Sequence, residues 1–342
     1  MAWYNESGAE NDVVISSRVR LARNIAGYPF GSKLTDAARS EIIEKVTKAL
    51  APAGLETVDL VAESPLEAAA LAEKRLITPE FAAEKAPHTL LVDKEEKSTV
   101  MIGGEDHVRI QTFAAGLALK DAYDRAVALD DLLDEGTEIA YSEARGYLTQ
   151  NPTDLGTGMR ASLVVHLPAM TMTRQIGSAA RGLAKLGVSM RAFIGENGES
   201  AGSLYQISNT GTMGMTEEEI LEKLTSVAGQ LADSERKLRG TLKSDSFARL
   251  CDRVMRAGGV LSSAYMMSGG EFMGLWSDVR LGVSLGILTE PPFTKLDELL
   301  VAAMPANLLV AAGNKTEVAS SELETMRAKT VRNMIGGVKV SE

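Results

Sequence analysis

The sequence predicts an α+β fold: an antiparallel β-sheet flanked by helices, followed by an all-α C-terminal domain. Three observations predict it. Short β-rich runs at 89–93 and 98–102 are separated by the polar turn Lys94-Glu95-Glu96-Lys97, the pattern of a hairpin. Strand-like runs recur at 107–113, 138–142, 161–167, 189–194 and 203–208 with helical spacing interspersed, which suits a sheet covered by helices. Beyond about residue 215 the strands stop.

Taken in order, the chain opens on the stretch Val13–Asn24, an apolar strand with cations emerging from it in a fixed pattern. Residues 34–50 and 65–75 carry apolar side chains at helical spacing, the second ending near Thr78-Pro79. After the hairpin and a third strand come helices at 116–135 and 173–186. Residues 217–239 form a long amphipathic helix opened by Thr216 as N-cap, with Glu219 three residues on. Further helices at 245–257, 270–286, 294–304 and 317–335 are divided by Gly258-Gly259, Gly269-Gly270 and Pro291-Pro292. The expected division is a catalytic domain at 1–239 and a helical domain at 240–342.

With 342 residues, 45% of them hydrophobic, the chain can bury a sizeable core. Its net charge of -10 argues against a general nucleic-acid or membrane-surface binder, which would need a basic face. A single cysteine, Cys251, allows no intrachain disulfide and fits a reducing cytoplasm. It sits at an apolar helical position and is expected to be buried packing. The three histidines are scattered, so no metal site is expected. The first residues do not read as a signal peptide, and no apolar run approaches the roughly 20 residues of a membrane span.

The charged residues are placed with more purpose than composition suggests. Arg18 and Arg20 are two apart, so on a strand both guanidinium groups leave one face. They repel each other unless an anion lies between, and arginine suits bidentate phosphate recognition. Gly103-Gly104-Glu105-Asp106-His107-Val108-Arg109 puts a carboxylate before a strand and an arginine inside it. Residues 151–162 form a turn-rich loop ending at Arg160, and Arg191 to Glu196 ends a strand on a carboxylate. Each alone would read as solvated surface.

Together, five blocks resemble the phosphagen (ATP:guanido) kinases: Ser16-Ser-Arg-Val-Arg20, Glu105-Asp-His-Val-Arg109, Pro152-Thr-Asp-Leu-Gly-Thr-Gly-Met-Arg160, Arg191 to Glu196, and Tyr205-Gln-Ile-Ser-Asn209. The likeness runs from about residue 11 to 335. It is closest to the bacterial protein-arginine-kinase branch, the McsB family, whose helical domain has a segment like Leu275-Trp-Ser-Asp-Val-Arg-Leu-Gly282. The first block lies almost at the N-terminus, so the small helical domain that encloses small substrates in other branches has no counterpart. A protein acceptor is therefore expected.

The resemblance implies a phosphagen kinase / glutamine synthetase-like catalytic domain using ATP and Mg²⁺, followed by a helical domain for dimerisation and substrate docking. Glu105 and Glu196 would be catalytic, gripping the acceptor guanidinium and taking its proton. Ser16, Ser17, Arg18, Val19, Arg20, Arg109, Arg160, Ala161, Ser162, Arg191 and Gly195 would bind ATP. Asn151, Thr153 and Glu199 would form the substrate loops. Implied partners are proteins with exposed arginines, a Clp-type protease system, a transcriptional repressor and a second copy of the chain, with no nucleic acid and no membrane. Alternative readings are a kinase for free arginine or another small guanidino compound, and a catalytically idle adaptor.

Three positions depart from the family. Asn151 stands where relatives carry a cysteine; it can still offer a carbonyl oxygen to the guanidinium, but it is neutral and cannot be alkylated. Arg75 stands in a segment where relatives have a nucleotide-contacting histidine. Leu323-Glu324 replaces the leading Arg-Asp pair of a phosphoarginine-binding motif that continues here as Arg327-Ala328. An active kinase with altered tuning is expected.

Overall fold

Alternation along the first strand sets the architecture. In β1 (Val14–Arg23), Val14, Val19 and Leu21 enter the largest apolar core, while Arg18 and Arg20 leave from the other face. The computed structural model, which describes residues 2–194, 200–313 and 318–340, extends this into an eight-stranded sheet. The other strands are β2 (Glu56–Asp59), β3 (Thr89–Val92), β4 (Ser98–Ile102), β5 (Val108–Ala115), β6 (Met159–His166), β7 (Val188–Ile194) and β8 (Ser200–Asn209). Their order is β2-β3-β4-β5-β1-β6-β8-β7, with every pairing antiparallel.

The helices are α1 (Asp36–Ala49), α2 (Pro65–Glu73), α3 (Leu119–Gly136), α4 (Ile176–Lys185), α5 (Glu217–Ser263), α6 (Gly269–Ser284), α7 (Phe293–Ala302), α8 (Pro305–Ala311) and α9 (Ser320–Ile335). One sheet face is buried by α1, α3, α4 and the first half of α5. The other face is divided. Around Ile15, Val164 and Leu204 it is covered by α6, α7 and α9, with Trp276 and Phe272 at the centre. The rest of that face carries the arginines. Burial of large apolar side chains, each contributing roughly 1.5–3 kcal/mol, thus fixes the helical domain beside them.

Buried charges are partnered, and Arg280 reaches from the helical domain to the first strand's approach. Arg280 pairs with Asp297 at 2.6 Å and donates to the Asn11 carbonyl. Glu235, fully buried, accepts from the backbone N–H groups of Ala169 and Met170 at 2.9 Å and from Arg239 at 2.8 Å. Unpaired, such a carboxylate would cost several kcal/mol.

The structure corrects several sequence expectations. The helices expected at 217–239 and 245–257 are both present and longer, running into each other as the continuous span α5 with a kink at Ser246 (φ -143°, ψ 31°). Residue 239 lies in the first of the two arms of α5. The C-terminal region is not strand-free: Leu288–Glu290 pairs with Lys339–Val340. The strand expected at 138–142 shrinks to Tyr141–Ser142, paired with Gly146–Tyr147. The helix expected at 173–186 is interrupted by Arg174 in the left-handed region (φ +58°), which separates Pro168–Met172 from α4. Among the described residues, no helix is long and apolar enough to cross a membrane.

Candidate active site

Register brings the arginines together. Arg20 lies opposite Arg160 on β6 and opposite Gln111 on β5, two residues from Arg109. Arg18 lies opposite Ser162, and Arg191 on β7 faces Gln206 on β8. All five guanidinium groups leave the same side of the sheet. Arg18 is steadied by neutral acceptors: Ser162 Oγ at 3.2 Å, Gln111 Oε1 at 3.4 Å and Gln206 Oε1 at 3.5 Å. Among the described residues, Arg18, Arg20, Arg160 and Arg191 form no ion pair with a carboxylate. Burial, then Arg20, Arg75 and Arg160, push the Arg18 guanidinium well below its usual pKa. Burial, then Arg109 and Arg160, bring Arg20 down to about 10. Among the described residues these four cations are gathered without a carboxylate partner, a destabilised arrangement that a polyanion relieves.

That imbalance predicts a ligand effect. Inorganic triphosphate or ATP at about 100 times its Kd should stabilise the fold by about 2.7 kcal/mol, visible as a raised melting temperature. Sodium chloride at matched ionic strength should do much less. Equal shifts from both would rule out a specific anion site.

Not every residue expected to bind ATP faces this surface. Val19 and Ala161 point into the opposite core. Ser17 also points away, donating to the Gly116 carbonyl at 2.7 Å and accepting from the Ala118 N–H at 2.9 Å. The strand period of two dictates this, since neighbours of outward arginines must point inward. These three can offer ATP no side-chain contact from where they lie. Ser16 and Ser162 are buried on the arginine side. Arg23 turns away and pairs with Asp130 at 2.6 Å. Gly195, Glu196 and Glu199 lie outside the described residues.

At one end of the arginine row, the chain turns sharply before β5. Gly103 has φ +94°, and a Cβ there would meet the Pro87 carbonyl oxygen at 2.7 Å. The turn lifts Glu105 to the surface, where it pairs with Arg109 at 2.7 Å. Asp106 goes the other way and is fully buried. It accepts from Arg109 Nε at 3.3 Å, Asn24 Nδ2 at 3.0 Å and the Gln150 N–H at 2.8 Å. It thereby fixes Arg109 and anchors the loop leading to Asn151. His107 accepts from the Ile25 N–H through Nδ1 at 3.0 Å, while Nε2 lies 3.0 Å from the Pro29 carbonyl. Burial lowers its pKa. Asp106 and His107 are positioning groups that sequence reasoning did not assign. Their only signal was residence in the Glu105–Arg109 block. Glu105 opens onto a pocket of about 500 Å³, also lined by Glu80, Glu84, Arg39 and Gln150.

Asn151 is engaged locally. Its side-chain oxygen accepts from the Thr153 N–H at 3.0 Å and the Thr153 hydroxyl at 2.9 Å, capping the turn Pro152–Asp154. That local cap is what an Asx side chain before a short helix does. Iodoacetamide should therefore leave activity intact. Cys251 is half-buried against the helical-domain core and its modification should be slow. Asn151→Cys should be active and newly alkylation-sensitive. Rapid inactivation of the native chain, prevented by ATP and traced to Cys251, would refute this.

At the other end of the row lies a groove of about 690 Å³, lined by Arg18, Arg75, Ile77, Phe193, Met304 and small residues of α2. Arg75 stands 4.8 Å over the Phe193 ring, and burial lowers its pKa to about 10. In the helical domain, Arg327 is buried, donating to the carbonyls of Ala303 at 2.9 Å and Met267 at 3.1 Å.

Cations awaiting an anion, with a carboxylate beside them at a pocket mouth, are what transfer of a phosphoryl group requires. Residues 39–238 match the family described as ATP:guanido phosphotransferase, C-terminal catalytic domain. Fold and site together thus define an ATP:guanido phosphotransferase. Residues 248–342 match a second family, the protein-arginine kinase McsB C-terminal domain. A protein-arginine kinase of Desulforamulus reducens is 38% identical over 98% of this chain and 96% of its own length. One from Moorella thermoacetica is 39% identical over 98% and 97%. The chain belongs to the protein-arginine kinase family. Among solved structures, a duplicated taurocyamine kinase from Schistosoma mansoni shares the fold with a TM-score of 0.61 and 23% identity, over 74% of this chain and 39% of that one. A lombricine kinase gives 0.59 and 23% identity, over 69% of each chain.

Proposed function

We propose that the protein transfers the γ-phosphoryl group of ATP to arginine guanidinium groups of other proteins. The observation that carries this is the sequence of surfaces along one sheet face: acidic pocket, arginine row, partly apolar groove. A nucleotide laid along it would put its phosphates on Arg18, Arg20, Arg109 and Arg160 and its nucleoside beside Phe193. Its γ-phosphate would then face Glu105. Mg²⁺ would arrive as part of the Mg·ATP substrate. Among the described residues no three His, Cys, Asp or Glu side chains converge to hold a metal.

The acceptor guanidinium has a pKa above 12 and is a poor nucleophile while protonated. In this reading Glu105, with Glu196, grips the acceptor and removes a proton as the N–P bond forms. The P–O bond to ADP breaks, and the arginines hold the charge that collects on the transferred group. Fixing both reactants in line supplies much of the rate.

The test is incubation with labelled ATP and either an unfolded protein or free arginine, followed by acid. Acid-labile label on the protein is the expected product. Label on free arginine alone would favour the small-guanidino alternative, and nucleotide binding without transfer would favour the idle adaptor. The same proposal extends to a cytoplasmic role in protein quality control beside a Clp-type protease and a repressor, and to a homodimer built by the helical domain. A monomeric mass by light scattering at micromolar concentration would remove the dimer.

A further inference from the structure

The turn that follows α2 faces two ways. On one side, the Glu73 carboxylate accepts from the backbone N–H groups of Ala306 at 2.8 Å and Asn307 at 2.9 Å, and from Asn307 Nδ2 at 2.8 Å. It grips the start of α8 in the helical domain. Two residues on, Arg75 adopts φ +67°, a left-handed conformation that is costly for a residue with a Cβ. Gln111 holds it there, donating to the carbonyls of Arg75 at 2.8 Å and Leu76 at 3.2 Å. The other end of the Gln111 amide accepts from Arg18. The strain thus serves to set the Arg75 guanidinium over Phe193, with Met304 and Pro305 lining the same groove. Inward, the groove meets a cavity of about 40 Å³ bounded by Ser16, Val164 and Leu204 of the sheet and by Asp297, Leu300 and Met304 of the helical domain.

We propose that the helical domain completes the nucleoside half of the ATP site. Met304 would be a determinant of base recognition, and Glu73 would couple nucleotide occupancy to docking of α8. This rests on the ATP reading above. The arginine row alone distinguishes only charge, and any triphosphate satisfies it. The groove instead offers an aromatic face, a flat guanidinium and a thioether, surfaces suited to the π-face of a purine. Because its walls come from both domains, a base bound there must stabilise their contact. Reciprocally, a well-docked α8 must tighten the nucleotide.

The experiment compares Mg·ADP with inorganic tripolyphosphate, by calorimetry on the full chain. Phe193→Ala should weaken ADP about tenfold, the scale of losing one base–aromatic stack. Met304→Ala should weaken it about threefold, for the few apolar contacts removed. Glu73→Gln should also weaken ADP, and tripolyphosphate affinity should stay within about twofold of wild type in all three variants. In the unmodified protein, ADP but not tripolyphosphate should slow amide exchange across residues 293–311, a readout that needs no variant to fold. Parallel losses for both ligands, unchanged ADP affinity in Met304→Ala, or identical exchange with either ligand would each overturn the proposal. Tripolyphosphate binding with no preference for ADP removes this inference alone. Failure of both ligands to bind the wild type removes the ATP reading and this inference with it.

Discussion

Glu105→Gln is expected to slow phosphoryl transfer by ~10²–10⁴-fold, the usual scale for losing one acid–base partner. ATP affinity should change little. Glu105 stands half-exposed at the pocket mouth and touches the arginine row only through its 2.7 Å pair with Arg109. Glutamine keeps the shape and a hydrogen-bonding oxygen, but it cannot carry the proton that the guanidinium must lose. Asp106 remains to hold Arg109 in place. The signature is therefore a fall in kcat with nearly unchanged nucleotide binding. Turnover near wild type would remove Glu105 from the chemistry, and a matching loss of ATP affinity would make it a structural partner of Arg109.

The second large effect is expected from Arg160→Ala. Arg160 lies opposite Arg20 and, among the described residues, forms no ion pair with a carboxylate, so its charge is available to the ligand. Removing one preorganised donor to a developing oxyanion costs about 2.7–4 kcal/mol, or roughly 10²–10³-fold in rate. The fold itself should not weaken, because taking one cation from a crowded group relieves repulsion. A melting temperature equal to or above wild type, with turnover lost at saturating ATP, is the expected pair of results. Unchanged turnover would mean that Arg160 is only a surface charge.

The arginine row was legible because strand alternation is strict: Arg18 and Arg20 had to share a face once β1 was recognised. The same rule, applied one residue further, would have sent Ser17, Val19 and Ala161 to the opposite face. Carrying those positions over from a family block hid that. Asp106 and His107 were illegible for another reason. Their roles depend on Asn24, Gln150, Ile25 and Pro29, which reach them only after the sheet has closed. Asn151 followed local chemistry, and a residue-by-residue comparison with cysteine could not foresee it. The two-residue strand Lys339–Val340 pairs with a segment about 50 residues earlier and leaves no periodic trace of its own. The helix start at Thr216 fared better, because a capping box is complete within four residues.

Helix α5 carries one more consequence. Its 47 residues are two helical arms joined by a kink at Ser246, roughly 44 Å and 26 Å long at 1.5 Å per residue, and the gap between the two family matches, 239–247, spans that kink. The two matched regions are therefore also the units that would part under load, because Ser246 lies in the gap between them. A gene cut at that gap would separate the two arms and lay open apolar side chains of each. The natural place to yield is Ser246, where the backbone already leaves the helix. A pull between the two halves of this enzyme should find its hinge there, as a beam gives at its notch.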